Sequence, residues 1–202
     1  MIAPTDITLG LLAGGRATRL GGIDKAWLTR DGMSQVERWR RRFAAETSTI
    51  LVSANREPER YERIGLRPVA DRTSADLGPL AGLDALAAAC DTPWLLTLPV
   101  DLVGVNDCLV ASLGAAVDTH GAYAVDDEGA QPLVALWRVA ELRGATARAI
   151  DANELAIHSL QRHLRMVPVR LAGIRFGNLN TPQDLAAAGV APGDHDGPRS
   201  PA

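Results

Sequence analysis

Leu12-Ala13-Gly14-Gly15-Arg16-Ala17-Thr18-Arg19-Leu20-Gly21-Gly22-Ile23-Asp24-Lys25 follows directly on the apolar run Ile7-Thr8-Leu9-Gly10-Leu11. A short apolar run closed by paired glycines reads as a buried strand entering a tight loop. Glycine lets backbone N–H groups approach phosphate oxygens, and Arg19 and Lys25 add cations that can neutralise a triphosphate. The stretch therefore predicts a nucleotide-phosphate cradle. It is not a Walker A loop, because Lys25 is followed by Ala26, and the three-glycine dinucleotide spacing is missing. A plainer alternative is a glycine-rich strand-to-helix turn with surface cations. The ordered combination of glycines with Arg19 and Lys25 favours the cradle.

Outward from this loop, strands and helices alternate. Met33, Val36, Trp39 and Phe43 recur three or four apart with Arg38, Arg40, Arg41 and Arg42 between them, which predicts a helix with a solvated basic side. Residues 49–53 and 94–98 read as two further buried strands, separated by a helix over 80–90. Such alternation predicts a parallel sheet covered on both faces. In the second half, Asn106 is a candidate cap for a following helix. Strands over 122–125 and 133–137 flank the turn-rich Asp126-Asp127-Glu128-Gly129, a hairpin that could bring an antiparallel strand into the sheet. Helices over 139–150 and 154–164 and a strand over 166–171 come next. Thr181-Pro182-Gln183-Asp184 sets a cap, a first-turn proline and an acid at the third helical position, starting a helix through Ala188. From Ala191 onward Pro, Gly, Asp and Ser dominate. The expected organisation is one domain over 1–190 and a disordered tail over 191–202, with no internal repeat.

Composition narrows the function. With 202 residues, 47% hydrophobic and 22% charged, the chain suits one domain with a full core. Lys plus Arg number 21 against 24 Asp plus Glu, so the net charge of -3 and the lack of a basic run argue against nucleic-acid binding. Cys90 and Cys108 stand alone, without zinc-ligand spacing or a nucleophile's partner, and fit a reducing cytoplasm. No apolar stretch approaches the ~20 residues of a membrane helix, and no basic leader precedes an apolar one. A soluble, cytoplasmic protein without membrane partners is expected.

The glycine loop from Leu12 to Lys25 resembles the signature of the MobA-like nucleotidyltransferases. The likeness continues, in the family's order, through Ser53-Ala54-Asn55-Arg56, Val69-Ala70-Asp71, Gly78-Pro79-Leu80-Ala81-Gly82-Leu83, Leu98-Pro99-Val100-Asp101, Gln131-Pro132-Leu133-Val134-Ala135-Leu136 and Asn178-Leu179-Asn180-Thr181-Pro182. It spans nearly all of the chain before the tail. The resemblance implies a three-layer α/β/α, Rossmann-like fold with a mostly parallel sheet and an antiparallel strand. It also implies transfer of GMP from MgGTP to molybdenum-molybdopterin, with pyrophosphate released. By matching position, Leu12, Ala13, Gly14, Lys25, Ser53, Asp71 and Asp101 would contact the nucleotide, beside Gly15 and Arg19 of the cradle. Asp101 would hold Mg2+, and Asn178 and Asn180 would face the pterin substrate. Partners implied are cofactor-biosynthesis proteins and acceptor molybdoenzymes or their chaperones. Two positions depart from the family pattern: Ser53 stands where Asn is frequent, and Leu102-Val103 follows Asp101 where Thr-Pro is common.

The chemistry stands by itself. Attack on an α-phosphorus by an already anionic phosphate oxygen needs charge neutralisation and in-line placement more than a general base. Lys25 and Asp101 are the catalytic candidates. Asp101 follows the strand over 94–98, and parallel sheets bind ligands beyond the carboxyl ends of their strands. Magnesium suits one or two carboxylates completed by phosphate oxygens and water. Asp71 reads as either a solvated loop acid or a ribose or base contact, and Asp24 as either a loop-orienting group or a solvated acid. Asn180 could serve only the helix start, although Thr181 already supplies the cap. His120, His158, His163 and His195 are scattered and expected at the surface; Trp39, Trp94 and Trp137 are expected in the core. Rival functions are a molybdopterin cytidylyltransferase or sugar-phosphate nucleotidyltransferase, a non-catalytic nucleotide sensor, and, more remotely, a nicotinamide dehydrogenase. The Leu12-Ala13-Gly14-Gly15 and Gly78-to-Gly82 segments resemble the guanylyl branch.

Overall fold

The apolar run after the N-terminus forms strand β1 (Ile7–Leu12), with Leu9 and Leu11 fully buried. The computed structural model describes residues 2–14, 24–73, 77–117 and 120–192. Gly15, Arg19 and positions 193–202 of the expected tail lie outside the described residues. The chain re-enters in a short 3-10 helix, Lys25–Trp27. It continues through β2 (Thr29–Arg30), β3 (Met33–Ser34), α1 (Gln35–Phe43), β4 (Thr49–Ser53), α2 (Pro58–Arg63), β5 (Arg67–Val69), α3 (Pro79–Ala89) and β6 (Trp94–Pro99). The second half holds β7 (Leu102–Val103), α4 (Leu109–Ala116), β8 (Gly121–Val125), β9 (Ala130–Arg138), α5 (Val139–Asp151), α6 (Ile157–His163), β10 (Val167–Arg170), β11 (Gly177–Asn178) and α7 (Pro182–Ala188).

Seven strands make one sheet in the order β10-β8-β9-β6-β1-β4-β5. β9 runs antiparallel to both β6 and β8, and the other neighbours are parallel. The predicted hairpin is therefore the device that inserts one reversed strand. Side chains alternate across the sheet, so each face has its own core. Leu9, Leu11, Leu96 and Leu98 pack with Val36, Trp39 and Phe43 of α1 and with Leu109 and Leu113 of α4. Leu51, Leu95 and Trp137 pack with α3, α5 and α6 through Leu80, Leu83, Leu86, Leu142 and Leu160. Full burial contributes roughly 1.5–3 kcal/mol for each such leucine. This is the three-layer α/β/α arrangement. Gly10 fits it closely: a Cβ there would come within 2.9 Å of Leu95 Cδ1 and 3.0 Å of Leu86 Cδ1.

Several local expectations change. Met33 belongs to β3 rather than α1, because Ser34 takes the cap, accepting from Glu37 N while the Glu37 carboxylate accepts from Ser34 N. Asn106 does not cap α4; the helix begins at Leu109 behind Cys108, out of reach of a cap at 106, and no side-chain bond caps it. Helix α6 begins at Ile157, three residues later than 154. Arg42 is not on a solvated side: it is half-buried, pairs with Glu46 and with Asp107 at 3.1 Å, and donates to Asn106 O at 3.1 Å. The capping box at Thr181 and Asp184 forms as expected and starts α7 at Pro182.

Candidate active site

Parallel β1, β4, β5 and β6 end at one edge of the sheet, where the loops beyond them and the start of α3 enclose a cleft of about 670 Å³. Backbone bonds fix the floor. Val100 N donates to Leu12 O at 3.0 Å, Ala13 N to Ser53 O at 3.1 Å, and Ala54 N to Val69 O at 3.0 Å, so the strand register extends into the site. Leu12, Ala13, Gly14, Lys25, Ser53, Asp71 and Asp101 all line this cleft. Asn178 and Asn180 are exposed in the segment that passes Asp101, where Leu179 N donates to Asp101 O at 2.9 Å.

Three functional candidates meet at one ammonium. Lys25 Nζ donates to Asp101 Oδ2 at 2.6 Å and to Asn180 Oδ1 at 2.5 Å, joining positions 76 and 155 residues apart. Asn180 therefore has a contact beyond the helix start. Its backbone N–H, with that of Thr181, binds the Asp184 carboxylate. The Thr181 side chain, followed by these two backbone groups, holds the Asp184 carboxyl below its usual range. Asp101 is steadied from α1 as well: Trp39 Nε1 donates to Val100 O at 2.9 Å, and Gln35 Nε2 to Leu102 O at 3.1 Å. Trp39 is buried as expected but also holds this loop, a role invisible in its apolar periodicity.

The base of the Lys25 segment is built around Asp24. Its Oδ1 accepts from Ala26 N at 2.9 Å, capping the 3-10 helix, and its Oδ2 accepts from Tyr61 Oη at 3.2 Å. Asp24 is thus not a solvated acid: it caps the turn that carries Lys25 and is tied to α2 through Tyr61. Burial pushes its carboxyl above the usual value, against the hydrogen bonds from Ala26 and Tyr61. Burial, then the facing Asp24 charge, pushes the Tyr61 phenol well above its usual value. Tyr61 also packs on Trp27, whose ring carries the Arg60 guanidinium 4.0 Å from its centroid.

At the far side of the cleft, Asn55 and Asp71 bind each other twice: Asn55 Nδ2 donates to Asp71 Oδ2 at 2.7 Å, and Asp71 N to Asn55 Oδ1 at 2.8 Å. The second carboxylate oxygen, Asp71 Oδ1, is buried and accepts no hydrogen bond from the described residues. Ser53 sits between glycines of the β1 loop and α3, a Cβ on Gly14 falling 3.8 Å from its Oγ. Trp94 and Trp137 are buried, His158 and His163 exposed, and His120 half-buried instead of at the surface; His195 lies outside the described residues. Cys90 is buried and Cys108 exposed.

The sequence profile of the MobA-like NTP transferase domain matches residues 10–167. The chain belongs to the MobA-like NTP transferase family. Within that family it is 38% identical over 194 residues to a molybdenum cofactor guanylyltransferase of Burkholderia vietnamiensis, covering 90% of this chain and 94% of that one. Among solved structures, the molybdopterin-guanine dinucleotide biosynthesis protein A of Archaeoglobus fulgidus shares the fold, with a TM-score of 0.68 at 17% identity over 90% of this chain and 96% of the other. The 2-C-methyl-D-erythritol 4-phosphate cytidylyltransferase of Thermus thermophilus does so with a TM-score of 0.66 at 20% identity, covering 89% and 96%. The fold is thus common to proteins named for different substrates. Among the described residues, no helix is long and apolar enough to cross a membrane, and no three His, Cys, Asp or Glu side chains group to hold a metal.

Proposed function

We propose that this MobA-like enzyme transfers the guanylyl group of GTP to the phosphate of molybdenum-molybdopterin, forming the guanine dinucleotide cofactor and pyrophosphate. The observation that carries the reading is the contact of Lys25 with both Asp101 and Asn180 at the strand-end cleft. It gathers a cation, a carboxylate and a neutral polar group, a set suited to binding a triphosphate beside a second substrate. The curated relative at 38% identity is named for the same activity.

Leu12, Ala13 and Gly14 line the floor, with Gly15 and Arg19 of the same loop assigned to the phosphates. Ser53 and Asp71 line the nucleoside end. The Asp71 carboxylate oxygen that accepts from no donor among the described residues matches a ligand N–H or O–H. Lys25 neutralises phosphate charge, exchanging its present Asp101 partner for phosphate oxygens as they arrive. Asn178 and Asn180 face the acceptor side and orient it. An oxygen of the acceptor phosphate forms the new bond to the α-phosphorus, the bond from that phosphorus to the β-phosphate bridge breaks, and pyrophosphate carries away the electron pair. The nucleophile is already an anion, so no side chain need remove a proton.

One carboxylate, with no supporting acid cluster among the described residues, is the donor set of a metal that keeps water and phosphate oxygens as its other ligands, which fits magnesium. Asp101 would hold it. When bound it would supply Lewis-acid neutralisation of the transferring and leaving phosphates.

The test is pyrophosphate release from GTP, CTP, ATP and UTP with magnesium, with and without molybdenum-molybdopterin. Release that needs both GTP and the pterin is expected. Preference for CTP would overturn the base assignment, transfer to a sugar phosphate without pterin the acceptor, and nucleotide binding without turnover the enzymatic reading.

A further inference from the structure

Helix α3 buries nearly everything it carries from Leu80 to Ala87, and one of those residues is an acid. Asp84 is 6% exposed, between buried Leu83 and Ala85. An ionised carboxylate there is expensive to remove from water, and Asp is a poor residue for a helix interior. Packing alone would be served better by Leu or Ala. What the carboxylate adds is direction. Its Oδ1 accepts from Thr146 Oγ1 of α5 at 2.7 Å, and its Oδ2 accepts from Arg72 Nη1 at 3.1 Å.

Arg72 comes from the loop beyond β5, immediately after Asp71 and before Thr73, both of which line the cleft. Two pairs of described residues therefore hold that loop. The Asn55–Asp71 pair ties it to the end of β4, and the Arg72–Asp84 pair ties it to a carboxylate that Thr146 fixes against α5. Arg72 is 59% exposed, so the ion pair contributes little to global stability. Its effect is local: it sets where the wall carrying Asp71 stands relative to α3.

We infer that Asp84 and Arg72 are positioning residues for nucleotide binding, fixing the Asp71 loop against α3 so that the wall of the nucleoside end is preformed. The inference rests on the reading of this cleft as the nucleotide site. Neither residue need touch the nucleotide.

The variants are Arg72→Met, Arg72→Lys and Asp84→Asn, each followed by steady-state kinetics with GTP, direct titration with MgGTP, and thermal unfolding. Arg72→Met is expected to raise KM and weaken GTP binding by roughly three- to tenfold, the scale of one hydrogen bond, with kcat within about twofold of the parent. Arg72→Lys should recover part of that loss, because an ammonium can still pair with Asp84. Asp84→Asn with Arg72→Met together should bind GTP no more weakly than the worse single variant, as expected when both act through one contact. Arg72→Met with unchanged KM, or with a lowered melting temperature as its sole effect, overturns the inference, and this variant decides even if Asp84→Asn does not fold. A parent protein that binds no nucleoside triphosphate overturns the functional reading and the inference together; a parent that binds GTP beside an indifferent Arg72→Met overturns the inference alone.

Discussion

A Cβ on Gly82 would stand 2.5 Å from Ser53 Oγ, so the close approach of α3 to the end of β4 depends on the side chain that residue 82 lacks. The same Cβ would lie 3.1 Å from Leu12 Cδ2 and 3.2 Å from Ser53 Cβ, so rotating the hydroxyl away would not clear the space. Gly82→Ala gains about 1 kcal/mol of helix propensity, but overpacking of this kind costs about 1–3 kcal/mol. The strain should win. Net destabilisation of about 1 kcal/mol is expected in denaturant unfolding, with weaker GTP binding, and partial recovery when Ser53→Ala is added. A more stable Gly82→Ala variant would show that α3 moves freely.

Lys25→Ala should lower turnover with GTP about a hundredfold or more, the scale seen when one preorganised donor to a transition state is removed. Water in the open cleft can take over its hydrogen bonds to Asp101 and Asn180, so the melting temperature should fall by no more than about 5 °C. Kinetics beside thermal unfolding check this. Normal turnover would remove Lys25 from the phosphate site.

Asp101→Asn nearly preserves shape but removes the charge that makes a carboxylate a good magnesium ligand. Guanylyl transfer should drop and its half-saturating magnesium concentration should rise, so that added magnesium restores part of the rate. An active variant with the parent's magnesium dependence would exclude Asp101 as the metal ligand.

Asp126, in the turn of the β8–β9 hairpin, should contribute stability that is lost in acid. The residue is buried, which pushes its carboxyl up, but hydrogen bonds from Phe176 N, the Gln131 side chain, Glu128 N and Gly129 N outweigh burial and hold it below its ordinary value of 3.8. A group whose value is lower in the folded state stabilises fully above its unfolded value, and that stability disappears as pH falls through the folded one. Asp126→Asn should therefore lower the melting temperature at neutral pH, by about 5 °C for the loss of a charged, buried hydrogen-bond hub. The difference from the parent should shrink below about pH 4. A difference that stays constant down to pH 2 would show that Asp126 is not the titrating group.

The central strands were legible because 7–12, 49–53 and 94–98 are apolar on both faces, and the reversed β9 was legible because its turn residues mark a hairpin. Short elements were not. α2 has one buried residue, Tyr61, and so no apolar period; β5 is an edge strand of three residues containing Pro68. The pairs β2–β3 and β7–β11 are two residues long; β2–β3 is a local hairpin turned at Asp31-Gly32, whereas β7–β11 forms because distant segments meet. At the site, the residue types of Lys25 and Asp101 pointed to phosphate chemistry and the family resemblance turned Asn180 toward the pterin, but their convergence on one ammonium depends on contacts across the whole chain. Asp84 did leave a signal, an acid inside the apolar helix of 79–89, whereas the hold of Gln35 and Trp39 on the Asp101 loop left none because their bonds run to backbone carbonyls.

The most direct test follows a label on the α-phosphate of GTP during incubation with magnesium and molybdenum-molybdopterin. The expected result is label in a pterin guanine dinucleotide, with unlabelled pyrophosphate formed in equal amount. Label recovered as free GMP or GDP, or unchanged GTP beside a folded protein and intact pterin, would contradict guanylyl transfer at this site.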